Sequence, residues 1–220
     1  MLKADIVFLL DVDNTLLDND RFTADLGLRL ERDFGLTERD RYWQLFGELR
    51  KECGQADYLA TLQAFRSGLD GHANLLRMSE FLLEYPFAAR LYPATLKVLA
   101  HLKSLALTVV LSDGDIVFQP RKIQRSGVWD AVEGRVLIYL HKDLMLNQMQ
   151  QRYPATRYVM VDDKANLLAA MKLVLGTRLT TVFVRQGHYA LAQESAAVTP
   201  QPDRIIEHIG ELLNYQLADF

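Results

Sequence analysis

Three short polar clusters in this 220-residue chain each follow an apolar run, and each holds residues that can do chemistry. Asp11 and Asp13 follow Ile-Val-Phe-Leu-Leu at 6–10, Ser112-Asp113-Gly114 follows Leu107 to Leu111, and Asp162-Asp163 follows Tyr158 to Val161. Asp11 and Asp13 are two residues apart, so in an extended segment both side chains face one way, with Val12 opposed. Carboxylates held that close repel each other unless a cation or a proton lies between them. A hard divalent ion with oxygen ligands meets that need, and Mg2+ is the one expected.

Something must carry these clusters to one place. Continuous apolar runs predict strands buried on both faces, and in open parallel sheets ligands bind beyond the carboxyl ends of the strands. From Phe22 to Tyr85 the texture is helical instead. Leu26, Leu30 and Phe34 recur every four residues, Trp43, Leu45, Phe46 and Leu49 form a second stripe, and Asp57 to Phe65 and Ala73 to Leu83 read as further helices. After Tyr92-Pro93, helices are expected at Ala94 to Ser104, Pro120 to Ser126, Lys142 to Tyr153, Asn166 to Leu175 and Ile205 to Leu217. They alternate with apolar segments at Leu107 to Leu111, Val132 to Leu140, Tyr158 to Val161 and Leu179 to Val184. The expectation is an α/β fold: a Rossmann-like parallel sheet core over 1–18 and 89–220, interrupted after its first strand by an all-helical cap over 19–88.

The four motifs, in order, resemble those of the haloacid dehalogenase superfamily. Asp11-Val-Asp13-Asn-Thr15-Leu-Leu is similar to its first motif, Ser112-Asp-Gly to its second, Lys142 to its third and Asp162-Asp163 to its fourth. The insertion resembles its helical C1 cap. Two departures stand out: no Pro follows Lys142, and Val161 occupies a position where many relatives carry Gly. The resemblance implies a phosphatase with Asp11 as nucleophile, since a carboxylate can form an aspartyl-phosphate that splits one displacement into two. It implies that Asp13 gives a proton to the leaving alcohol and later takes one from water. Dehalogenating relatives lack this second Asp. Ser112, Asp113 and Gly114 would cradle phosphate with Lys142. Asp11, Asp162, Asp163 and the Asp13 carbonyl would hold Mg2+, with Asp163 acting through water. A phosphotransferase or mutase would share this intermediate, and a phospho-ligand binding module would share the site but has little use for Asp13.

Simpler readings of the same residues fare unevenly. Asp11-x-Asp13-x-Thr15 opens like a Ca2+ loop, but Leu16 stands where Gly is needed and Phe22 where a bidentate Glu is needed. Asp162-Asp163 could cap the following helix. The five histidines lack metal-ligand spacing, although His141 adjoins Lys142, and Cys53 has no nearby His partner. Trp43, Phe46 and Tyr42 read as cap core, and Arg50, Lys51, Arg21 and Tyr58 are the cap residues able to meet a substrate. The net charge of −3 without a basic block argues against nucleic acid, and one cysteine excludes an internal disulfide framework. The longest N-terminal apolar run is too short to cross a bilayer. The expected partner is a small phosphorylated metabolite, with no membrane, a cytoplasmic address, and a monomer or homodimer.

Overall fold

In the computed structural model, residues 4–54, 57–192 and 198–220 are described. Six strands form one parallel sheet: β1 (Ala4–Leu10), β2 (Leu107–Asp113), β3 (Val136–Tyr139), β4 (Ala155–Asp162), β5 (Leu179–Val184) and β6 (Arg204–Ile206), in the spatial order β3-β2-β1-β4-β5-β6. The chain leaves β1 toward one edge and later crosses to the other, so the order reverses between β1 and β4. Ligands in such sheets sit beyond the carboxyl ends at that reversal.

Alternation along the strands builds two cores. Ile6, Phe8 and Leu10 face one side, joined by Val110, Val159, Val161, Val182 and Val184. Val7 and Leu9 face the other, joined by Val109, Leu111, Met160 and Phe183. On the first side lie α5 (Thr95–Leu105) and α6 (Phe118–Ser126), and the short α7 (Val128–Ala131) follows α6. On the second lie α8 (Leu146–Arg152) and α9 (Ala165–Leu175). Burial on both faces is why these strands read as unbroken apolar runs.

Four helices follow β1 and precede α5: α1 (Asn19–Phe34), α2 (Leu36–Cys53), α3 (Tyr58–Phe65) and α4 (Ala73–Glu84). Asp18 caps α1 by accepting from the Arg21 amide at 2.9 Å, and Asp57 caps α3 by accepting from the Ala60 amide at 2.8 Å. Phe22 anchors the group, with its ring centroid 5.2 Å from Tyr58, 4.9 Å from Tyr85 and 5.7 Å from Phe118 of α6. The segments leading in and out run side by side: Leu17 bridges Leu91, and the Tyr92 amide donates to the Leu16 carbonyl at 3.0 Å. Among the described residues no helix is long and apolar enough to cross a membrane.

Two expected helices are corrected. The closing helix from Ile205 to Leu217 does not form. Arg204–Ile206 is β6, paired with β5, and a 3-10 helix covers Ile209–Asn214. Asp203 explains this. Its carboxylate accepts from the Thr181 amide (2.8 Å) and hydroxyl (2.9 Å), pinning the next residues alongside β5. Ile209 and Leu212, an apolar pair that mimics helix periodicity, are buried by a 3-10 turn instead. The single helix from Lys142 to Tyr153 is also split, into a 3-10 turn Lys142–Leu144 and α8, and a short helix not anticipated, α10 (Gly187–Ala192), follows β5.

Candidate active site

The carboxyl ends of β1 and β4 meet in register. Leu10 is level with Val161, and the Asp11 amide donates to the Val161 carbonyl at 3.0 Å, which carries the ladder one step into the site. Asp11 therefore stands beside Asp162. Lys142, just past β3, reaches across β2 to both. Its Nζ donates to Asp11 Oδ1 at 2.5 Å and to the Leu111 carbonyl at 3.3 Å, and lies 2.7 Å from Asp162 Oδ2 as an ion pair. Lys142 is fully buried. Burial alone would lower its pKa, but Asp11, Asp162 and Asp113 more than offset this and raise it, so it stays an ammonium.

The carboxylates outnumber that one lysine. One oxygen from each of Asp11, Asp162 and Asp163 lies within 4.8 Å of the others. Asp11 Oδ2 and both oxygens of Asp163 are buried with no hydrogen-bond partner. Burial, followed by the charges of Asp162 and Asp11, pushes Asp163 up to about 9. Asp162 is raised to about 6, first by burial, with Lys142 opposing and Asp11 adding to the rise. Unpartnered, buried carboxylate oxygens converging on one point fit a hard divalent cation. Lys164, at the start of α9, is held charged because Asp11 and Asp162 outweigh its burial.

Asp13 points elsewhere. Its Oδ1 accepts from Lys122 Nζ at 2.7 Å, and its Oδ2 from Gln119 Nε2 at 3.2 Å. Gln119 also donates to Ser112 Oγ at 2.9 Å, and Lys122 to Asn19 Oδ1 at 3.0 Å. Gln119 can reach in because Gly114 lacks a side chain: a Cβ there would meet Gln119 at 2.8 Å. Asp113 accepts from the Lys142 amide at 2.7 Å, and its pKa is raised chiefly by burial. Asp11, Ser112, Lys142, Asp162 and Asp163 thus form a buried floor, and Asp13, Asp113 and Gly114 line a cavity of about 370 Å³ above it.

Gln119 and Lys122 belong to none of the sequence motifs, although a signal for them exists. On α6 the buried positions are Phe118, Gln119, Lys122, Ile123 and Ser126, one helical face on which a lysine and a glutamine have no hydrophobic reason to be. Of the cap candidates, Arg50 and Tyr58 line the cavity, while Lys51 and Arg21 do not. His141 does line it, packed so closely on Gly54 that a Cβ there would meet its ring at 2.9 Å. The Cys53 side chain lies outside what is described.

Residues 7–174 match the family described as haloacid dehalogenase-like hydrolases. The chain belongs to that family. A haloacid dehalogenase-like hydrolase of Burkholderia xenovorans LB400 shares 56% identity over 96% of this chain and 95% of its own, with a TM-score of 0.88. An L-2-haloacid dehalogenase shares 20% identity over 96% and 98% of the two chains at a TM-score of 0.67. The magnesium-bound hydrolase YfnB of Bacillus subtilis shares 16% over 96% and 98% at 0.61. These last two establish a common fold. Among curated proteins none matches. In this hydrolase of the haloacid dehalogenase family, Asp11, Ser112 and Asp162 stand at the ends of β1, β2 and β4, and Lys142 on the turn after β3.

Proposed function

We propose that this hydrolase is a Mg2+-dependent phosphomonoesterase working through an aspartyl-phosphate on Asp11. The observation that carries the reading is Asp13, a second carboxylate two residues from Asp11, lining the cavity and clamped by Lys122 and Gln119. A halide leaves carbon without a proton, whereas an alkoxide leaving phosphorus needs one. A second carboxylate at the cavity wall, able to carry that proton, is useful for the second reaction only.

In the first step an Asp11 oxygen forms a bond to phosphorus. The bond from phosphorus to the ester oxygen breaks, and that oxygen takes a proton from Asp13. In the second step water attacks phosphorus, gives its proton to Asp13, and releases inorganic phosphate and free Asp11. Ser112 and the amides after it hold phosphoryl oxygens, while Lys142 offsets charge on Asp11 and the transferred group. Asp11, Asp162 and Asp163, with the Asp13 carbonyl, would hold Mg2+, which when bound supplies further neutralisation of the phosphoryl charge. Helices α1–α4, within residues 19–88, act as the cap that shields this site and chooses the ester.

Hydrolysis of p-nitrophenyl phosphate with Mg2+ and with excess chelator, beside halide release from 2-chloropropionate, tests the reading. Phosphate release that chelator abolishes is expected. Halide release without phosphate release would overturn it.

A further inference from the structure

Three acidic side chains and three of lysine or arginine line the cavity above Asp11. Each Asp that lines it is already engaged. Asp13 is paired with Lys122, Asp113 accepts from the Lys142 amide, and Asp115 accepts from the Val117 and Phe118 amides at 2.8 and 2.6 Å. Two lining cations make no such direct contact with a carboxylate, although Asp11 and Asp162 act on Lys164 from farther off. Among the described residues no carboxylate lies within ion-pair distance of Arg50 or Lys164.

Both are gathered around one ring. Arg50, in the last turn of α2, donates to the Tyr189 hydroxyl at 2.5 Å, with its guanidinium 5.9 Å from the ring centroid. Lys164 Nζ lies 5.3 Å from the same centroid. An aromatic face holds cations loosely while leaving their donors free for an anion, which a carboxylate partner would not do. Arg50 comes from α2 and Lys164 from the turn between β4 and α9, so two separate parts of the chain bring the cations to one ring. At about 370 Å³ it takes a ligand larger than phosphate alone.

We propose that Arg50 and Lys164, set around Tyr189, form a second anion subsite, and that the substrate is a phosphate monoester whose leaving group carries a further anionic group. This rests on the phosphatase reading, which assigns the phosphoryl end to the floor. The further group is a carboxylate or a second phosphate, either of which a guanidinium fork and an ammonium recognise.

The test compares 3-phosphoglycerate, glycerol 3-phosphate and glycerol 1,3-bisphosphate, with p-nitrophenyl phosphate as the control for chemistry. The first differs from the second only in carrying a carboxylate where the second carries a hydroxymethyl group. The wild-type Mg2+ enzyme is expected to favour at least one of the two esters with a further anion over glycerol 3-phosphate by about tenfold or more in kcat/KM, mostly through KM, as for a charged hydrogen bond. Whichever of the two leads identifies the group. Arg50→Gln is expected to collapse that ratio toward unity and Arg50→Lys to restore part of it. If p-nitrophenyl phosphate is turned over but the three esters are equivalent, or if Arg50→Gln and Lys164→Gln both keep the preference, the subsite is overturned while the phosphatase reading stands. If no ester is hydrolysed, the phosphatase reading fails instead. Calorimetry on the wild-type protein then decides: tighter binding of 3-phosphoglycerate or the bisphosphate than of glycerol 3-phosphate sustains the subsite, and equal binding overturns it.

Discussion

The floor of the cavity and the helices beside it both rely on charge pairs, with opposite consequences. On α1 and α2 the pairs are local and wet: Arg39 meets Glu31 at 2.5 Å and Arg41 meets Glu38 at 2.7 Å, all four side chains about a third exposed. Such pairs contribute at most about 1 kcal/mol each. On the floor, Lys142 meets Asp11 and Asp162 with no solvent exposure at the lysine, and it joins the ends of three strands distant in sequence. The helices owe their packing to aromatic contacts and use charge at the surface. The sheet owes its packing to aliphatic side chains and concentrates its buried charge at the site.

The largest expected effect is on the floor. Asp11→Asn keeps shape but loses the attacking oxygen, so turnover should fall by about 10³-fold or more while circular dichroism and Tm stay close to wild type. More than a few per cent of the wild-type rate would break the nucleophile assignment. Lys142→Met should be worse in a different way, abolishing activity and also lowering stability by about 3–5 kcal/mol in urea titration, because it strands buried carboxylates. Arg39→Gln on the helices should cost under about 1 kcal/mol. Equal losses from the two lysine and arginine variants would erase the contrast between these regions.

Most of that contrast is legible in the sequence. Buried strands announce themselves as apolar runs, so the sequence alone puts Asp11, Ser112 and Asp162 at strand ends. Lys142, assigned through its place in the motif order, is where the geometry brings it to both carboxylates. Less legible are residues whose role depends on tertiary reach. Nothing local shows that Lys122, more than a hundred residues from Asp13, will pair with it, beyond its odd place on the buried face of α6. The end of the chain misleads because Ile205, Ile209 and Leu212 fit a helical stripe, while the Asp203 contacts that hold a strand there are long-range.

Lys122 offers the next test, since it lies between the two regions. Lys122→Met should leave Asp11 and the carboxylate trio in place but release Asp13. If Asp13 is the proton donor, hydrolysis of alkyl phosphates, whose leaving groups need the proton most, should fall by about 10²-fold, with a smaller loss on p-nitrophenyl phosphate. A uniform fall across leaving groups would mean that Lys122 serves binding or folding and not the placement of Asp13.

The test that separates the regions most cleanly is the pH dependence of stability without metal. Burial and neighbouring carboxylates raise Asp163 to about 9 and Asp162 to about 6, against an ordinary value of 3.8. A group whose pKa is higher folded than unfolded favours the folded state most below its unfolded pKa, and that contribution is lost as pH rises through the folded value. The metal-free protein should therefore lose stability from about pH 4 upward, through the Asp162 range and on toward pH 9. Asp163→Asn should flatten this slope, because asparagine needs no counter-charge. Saturating Mg2+ should flatten it too, stabilising more at pH 8 than at pH 5, since the cation binds only the ionised carboxylates. The exposed pairs on α1 and α2 should contribute little to the slope, and Arg39→Gln should leave it unchanged. Thermal melts at several pH values, with Mg2+ or chelator, read all four curves. A Mg2+ stabilisation that is the same at pH 5 and pH 8, or that survives Asp163→Asn undiminished, would place the metal somewhere other than this trio.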